Sequence, residues 1–344
     1  MKKTIAISLS GGIDSLVAGF LLKKKKINLF GIHFTTGYEK NSIDFSNLEK
    51  ILDIKIYHIN LRKIFKESIV TYFIESYLNG KTPNPCLICN KKIKFGALLK
   101  AANNLGADFI ATGHYAKIKT SKIKQSKHVF LVKGKDSVKD QSYFLSMLEP
   151  SQLKKIIFPL GDMTKSEVTE LAKNKGLVPP SIKESQDICF IHNKSFYDFI
   201  SLEQKFKSIH GDIVTLDNKI IGTHKGLYRF TIGQRKGINC PGSAPYYVKK
   251  IDIKNNKLIV GFKNDLLQKK FYVKDLNWIT KPFFHCSNVK TKIRYNHKEA
   301  ESVLTYDNNN SATIIFKKSQ YAITPGQVAV FYNKDIVLGA GIIQ

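Results

Sequence analysis

The sequence predicts an α/β protein in three parts: a Rossmann-like parallel-sheet domain over 1–204, a small mixed central domain over 205–273, and a C-terminal β-barrel over 274–344. Strand-like and helical segments alternate through the first half, which is the mark of βαβ units with helices on both faces of a sheet. A loop of small residues, Ser10-Gly11-Gly12-Ile13-Asp14-Ser15, joins the first apolar run to the first helix. After about residue 205 short alternating segments with Gly, Asn and Asp turns take over, and from about Lys274 the pattern is strand-like to the end.

Taken in order, Ile5 to Leu9 is the first strand, and the apolar run from Leu16 to Leu22 follows as a helix. Asn28 to Phe34, Lys55 to Leu61 and Asp108 to Thr112 are the next strands. Leu61 to Leu78 and Cys89 to Leu105 are the helices between them. Thr164 with Glu167 forms a capping box, so another helix starts there. In such sheets ligands sit beyond the carboxyl ends of the strands. Ser10 to Ser15 and Thr112-Gly113-His114 both occupy such ends. The first of these loops aims backbone N–H groups and a helix dipole at one point, which suits a phosphate. It lacks the Gly-Lys-Ser/Thr ending of a Walker A loop. The plainer reading is a tight turn with Asp14 or Ser10 as N-cap.

The composition narrows the classes. With 344 residues and 43% hydrophobic content the chain can bury real cores, which excludes a disordered tail protein. A formal net charge of +28 favours a polyanionic partner, nucleic acid first, although a Lys-, Ile- and Asn-rich composition raises charge without selection for binding. Lys2-Lys3 before an apolar stretch imitates a secretory signal. Gly11-Gly12 and Asp14 interrupt that stretch, so export is rejected. No run of about 18 apolar residues exists to span a membrane. Five cysteines without a regular framework suit a reducing, cytoplasmic location.

Chemistry concentrates around the cysteines. In Thr82-Pro83-Asn84-Pro85-Cys86-Leu87-Ile88-Cys89-Asn90, two prolines stiffen a loop that places Cys89 near a helix start. Flanked by Lys91 and Lys92, its thiol is expected to have a lowered pKa. A lone C-x-x-C reads equally as a redox pair, half a zinc site or part of an iron–sulfur site. With no second pair or His pair nearby, structural zinc is set aside. Cys189, between polar residues and Phe190-Ile191 at the edge of a loop and strand, reads alone as a buried inert cysteine. Cys240 and Cys286 read as structural, and Gln234-Arg235-Lys236 as an exposed basic corner.

Several motifs stand in a shared order. They are Ser10 to Ser15, Thr82 to Asn90, Ala111 to Tyr115, Lys139 to Leu145, Ser185 to Ile191, Leu227 to Gly237, Lys292 to Tyr295 and Thr324 to Phe331. In them the chain resembles the tRNA-specific 2-thiouridylase family of PP-loop ATP pyrophosphatases, across nearly its whole length. The resemblance implies ATP-dependent adenylation of the C2 oxygen of a wobble uridine, followed by sulfur transfer. It implies ATP at Ser8, Leu9, Ser10, Gly11, Gly12, Ile13, Asp14 and Ser15, with Phe34 and Gly113 flanking the nucleotide and Asp14 near Mg2+. Asn84, Pro85 and Cys86 would meet the flipped base with His114 beside it. Lys139, Asp140, Gln141, Arg294, Tyr295 and Gln327 would contact tRNA. Cys189 would carry a persulfide and Cys89 would be the partner thiol, either attacking that persulfide to release sulfide or closing a Cys89–Cys189 disulfide after transfer.

The implied partners are tRNAs for Glu, Gln and Lys and a sulfur-donor protein, a cysteine desulfurase or relay. Many relatives carry Asp where this chain has Cys86. The variant with Cys there implies a [4Fe-4S] cluster held by Cys86, Cys89 and Cys189. Taken alone, Arg294-Tyr295 is an alternating strand surface and His114 a turn closer. The thiols at 89 and 189 argue against PP-loop relatives with nitrogen nucleophiles, such as a tRNA lysidine synthetase or an amidotransferase-type synthetase. They also argue against a non-catalytic RNA-binding protein with a relic ATP loop.

Overall fold

The computed structural model describes all residues except 1, 26, 40–43, 124–125, 181–187, 193–194, 205–207, 283 and 308. Strands β1 (Thr4–Ser8), β2 (Asn28–Thr35), β3 (Ile56–Asn60) and β4 (Phe109–Ala111) form the first sheet. After a hairpin of β5 (Ala116–Ile123) and β6 (Ser126–Lys133), which leaves that sheet, β7 (Ile156–Ile157) completes it. The order is β3-β2-β1-β4-β7, parallel throughout. The apolar runs read as strands are buried here: Ala6, Ile7, Ile32 and Ile110 have no exposed surface. A parallel strand covered on both faces reads as such a run. The expected capping box is present, since Thr164 accepts from the Glu167 N–H at 3.2 Å at the head of helix Lys165–Asn174.

The helix read as starting at Cys89 begins four residues earlier. Asn84 is extended, Pro85 occupies the first helical position, and the run continues through Cys89 to Asn104. Proline is pre-set for that position because its missing N–H would go unpaired there anyway. Cys189, expected beside a strand, lies instead in a turn closed by Ile191 N–H to Ile188 O at 3.0 Å. Phe190 anchors the turn, its ring 5.4 Å from both Phe73 and Phe199. Glu184 to Asp187 of that motif lie outside the described residues.

The central part carries a mixed sheet, β8 (Gly211–Val214), β9 (Ile220–His224), β10 (Tyr247–Asp252) and β11 (Lys257–Gly261), in the order β10-β11-β8-β9 with β11 and β8 parallel. The C-terminal strands are β12 (Leu267–Trp278), β13 (Cys286–Lys292), β14 (Ala300–Tyr306), β15 (Ser311–Tyr321), β16 (Val328–Asn333) and β17 (Ile336–Ile343). They close into an antiparallel barrel through β12–β17 pairing. One feature was not legible in the sequence. The β5–β6 hairpin extends the barrel sheet, with Ile336 and Val337 paired to Val132 and Leu131.

Candidate active site

The small-residue loop begins where β1 ends. Leu9 N–H bonds Ile32 O, and the chain then turns through Gly11 at φ 81, a conformation glycine adopts without strain. The N-cap of helix Ile13–Lys23 is Gly12, with no side-chain cap, so neither Asp14 nor Ser10 fills that role. The first-turn N–H groups therefore have no intrahelical partner. The Ser15 hydroxyl braces the loop, donating to Gly12 O at 2.9 Å and accepting from Ser10 N–H at 3.2 Å. Asp14 sits in the first helical turn. Its Oδ1 accepts from Tyr115 Oη at 2.7 Å and from Lys165 Nζ at 2.7 Å.

Gly113 closes on this loop from the end of β4. A Cβ there would stand 2.7 Å from the Asp14 carbonyl carbon and 2.9 Å from Ser15 N, so no larger residue fits without a shift. The next residue, His114, is buried, with Nδ1 2.7 Å from Thr112 Oγ1 and its ring between Phe95 and Phe158. Burial and then the nearby Lys94 charge hold its pKa well below the ordinary value, so it is neutral. Phe34, at the end of β2, is partly buried between two cores.

The Lys94 charge also reaches the cysteines. The thiols of Cys86, Cys89 and Cys189 lie within one another's electrostatic reach, and Lys94 acts on all three. The expected lowering of the Cys89 pKa is corrected by the structure. Burial pushes that thiol up to about 12, with Lys94 offsetting part and the neighbouring thiols adding to it. Cys89 is the fifth residue of its helix and partly buried, so desolvation outweighs the helix dipole. Cys86 is pushed up by burial likewise. Cys189 remains solvent-accessible as a residue, yet crowding around its thiol pushes it up to about 11.

All five cysteines are separate thiols. Among the described residues no three His, Cys, Asp or Glu side chains stand close enough to share a metal ion. As placed, the three thiols do not meet as a ready-made metal-binding triad. Asp14 fits Mg2+ in kind, being a hard oxygen donor beside the phosphate-directed loop. Cys240 is partly buried, while Cys286, read as structural, is exposed on β13.

The barrel braces the Asn84 loop. Gln327 Nε2 donates to Thr82 O at 2.9 Å, and Thr82 N–H donates to Pro325 O at 2.8 Å. The side chains of Asn84 and Tyr143 hydrogen-bond, and Tyr143 donates to Val328 O at 2.9 Å. Arg294 Nη1 donates to the carbonyls of Tyr321 and Ala322, beside a groove of about 380 Å³ that Thr82, Thr231 and Gln327 also line. The Tyr295 ring lies 4.4 Å from Phe144, with Lys292 over it at 5.2 Å.

Asp140 departs from its expected part as a tRNA contact. It is buried, and its carboxylate accepts from Gly134 N–H, Ser142 N–H and Ser142 Oγ. Gln141 is likewise occupied in part, accepting from Tyr115 N–H at 3.0 Å. Lys139 donates its N–H to Asp136. Arg235 and Lys236 are exposed, as the basic corner requires. Sequence reasoning passed over Tyr115, Lys165 and Lys94. The first lies within a quoted motif and the second follows the cap of a recognised helix, whereas Lys94 resembles any helix-surface lysine.

Residues 3–193 match the tRNA methyl transferase HUP domain, 198–262 its PRC-barrel domain, and 268–343 the aminomethyltransferase beta-barrel domain. The tRNA-specific 2-thiouridylase MnmA of Desulfosudis oleivorans is 46% identical over 343 residues, covering 99% of this chain and 94% of its own. The chain belongs to the tRNA-specific 2-thiouridylase family. The relative from Desulfotalea psychrophila is 41% identical and MnmA 2 of Clostridium botulinum 38%, each covering 100% of this chain and 99% of its own. The family is one of sulfurtransferase enzymes with an ATP-binding loop domain. Among the described residues no helix is long and apolar enough to cross a membrane.

Proposed function

We propose that this protein, acting in the cytoplasm, converts the wobble uridine of a tRNA to 2-thiouridine, consuming ATP and releasing AMP and pyrophosphate. One observation carries the reading: a single corner, Thr112-Gly113-His114, closes on the phosphate loop at Gly113 and, at His114, lies within reach of the Lys94 charge that also acts on Cys86, Cys89 and Cys189. Activation and sulfur delivery thereby share one cleft. The first-turn N–H groups, Ser10 and Lys165 bind the ATP phosphates. Asp14 would hold Mg2+, which supplies charge neutralisation at the phosphates. Attack of uridine O2 on the α-phosphate expels pyrophosphate and makes O2 part of a good leaving group.

Cys189, anchored by Phe190 yet open to solvent, receives sulfur as a persulfide from a sulfur-donor protein. The terminal sulfur bonds to C2, and AMP leaves with the electron pair of the C2–O bond. Cys89 then attacks the Sγ of Cys189. The bond to the transferred sulfur breaks, its electrons stay on that sulfur, and a Cys89–Cys189 disulfide remains for a thiol reductant to reset. Asn84 and Pro85, braced by Gln327, position the base, and neutral His114 lies beside it. Lys139, Arg294 and Tyr295 meet the anticodon arm, by charge and by stacking. Asp140 and Gln141 shape the loop beneath them.

The test is an assay with ATP, Mg2+, a wobble-uridine tRNA transcript and a persulfide donor, read by mass spectrometry of the digested tRNA. Formation of 2-thiouridine with one AMP per base supports the reading. ATP cleavage without sulfur incorporation under these conditions overturns it.

A further inference from the structure

Lys94 is a cation that Cys86, Cys89 and Cys189 share. It is partly buried, and among the described residues it makes no ion pair and no hydrogen bond. Other lysines of its helix are accounted for: Lys91 pairs with Glu149 at 3.1 Å, and Lys92 and Lys100 are exposed. A partly buried ammonium without an anion is costly unless an anion arrives to meet it.

The backbone beneath Lys94 is unusual. Between Asn90 and Ala97 the helix widens into a π turn, a feature found most often at functional sites. Widening disturbs the carbonyl ladder, and Gln152 restores it. Its Nε2 donates to Lys91 O at 2.9 Å and to Phe95 O at 2.7 Å, while its Oε1 accepts from Glu149 N–H at 2.9 Å. Gly96 is required at the same place, because a Cβ would stand 2.9 Å from Lys91 O. A wider turn delays the rotation of every later residue. Lys94 is therefore held back toward the face that carries Cys86 and Cys89.

We propose that Lys94 is a further residue of the sulfur-transfer centre, its ammonium compensating the negative charge that sulfur carries during transfer. Gln152 is a positioning residue that holds the π turn in the register presenting it. The inference rests on the thiolation reading above. In each sulfur step an anion, first persulfide and then thiolate, must exist where burial opposes it. Among the described residues, Lys94 is the one side chain acting on all three thiols that favours the anion.

The experiment is single-turnover thiolation with Cys189 preloaded as persulfide, at saturating tRNA and ATP, beside pyrophosphate release from the same mixtures. Lys94→Met is expected to slow sulfur transfer by about ten- to a hundredfold, the scale of one lost charge-stabilising group. Pyrophosphate release continues, and Lys94→Arg restores most of the transfer rate. Gln152→Met, which keeps the lysine, slows transfer about threefold, the scale of one modest hydrogen bond. A Lys94→Met enzyme as fast as wild type, or an Arg variant as slow as Met, overturns the inference alone. A wild type that yields no 2-thiouridine overturns the functional reading, and this inference with it.

Discussion

The phosphate loop and the sulfur centre make an instructive pair. The loop is contiguous: six residues, a strand before and a helix after dictate where its N–H groups point. The sulfur centre is assembled from a helix and a turn about a hundred residues apart, and its chemistry is decided by burial rather than by sequence neighbours. Local sequence therefore specified the backbone course of the first, though not its cap or the partners of Asp14. For the second it named the thiols and misjudged the acidity of Cys89.

Separating the two halves is the strongest way to test that contrast. Cys189→Ala should abolish 2-thiouridine formation while pyrophosphate release continues, and any residual thiolation would break the relay. Gly113→Ala works from the other side. Its new Cβ must displace the Asp14 backbone, so ATP cleavage should fall by about a hundredfold while persulfide loading of Cys189 survives. Loss of both activities would show that the two halves are not separable.

Iron content sharpens the comparison next. Protein purified without oxygen should be free of iron and still thiolate with a persulfide donor. About four irons per chain, lost in Cys86→Ala, would replace pairwise exchange with a cluster. A pH profile comes third in size. Because burial raises the Cys89 thiol to about 12 and Cys189 to about 11, the reactive anion forms only as pH rises. Alkylation of both should be slower than that of a free cysteine at pH 8 and should keep rising above pH 9. A rate that levels off below pH 8 would restore the acidic thiol read from the sequence.

The smallest effect concerns His114. Its neutral form is native and its unfolded form titrates near pH 6.5, so the unfolded chain gains the proton first as pH falls. Its contribution to stability is present above that pH and lost below it. His114→Gln should flatten, without abolishing, the fall in melting temperature between pH 7 and pH 5, since His33, His224 and His297 are also held below their ordinary values.

Much of this molecule was legible beforehand, for identifiable reasons. Ala6, Ile7 and Ile110 announce buried parallel strands because nothing polar interrupts them. Thr164 and Glu167 announce a helix because the cap is a contact within four residues. By contrast, the inward turn of Asp140, the Tyr115 and Lys165 contacts to Asp14, and the π turn under Lys94 depend on partners remote in sequence. Pairings of that kind leave no local periodicity to read.

The hairpin lent by the first domain to the barrel has a consequence for synthesis. Val132 and Leu131 find their partners in Ile336 and Val337 about 200 residues later, which at 5–20 residues per second is about 10–40 s of translation. Throughout that interval β6 offers an unpaired edge, and Val129, Leu131 and Val132, buried at completion, await their cover. The nascent chain thus carries an adhesive flap until its last strand emerges, and a ribosome that stalls early leaves that flap open to whatever chain lies nearest.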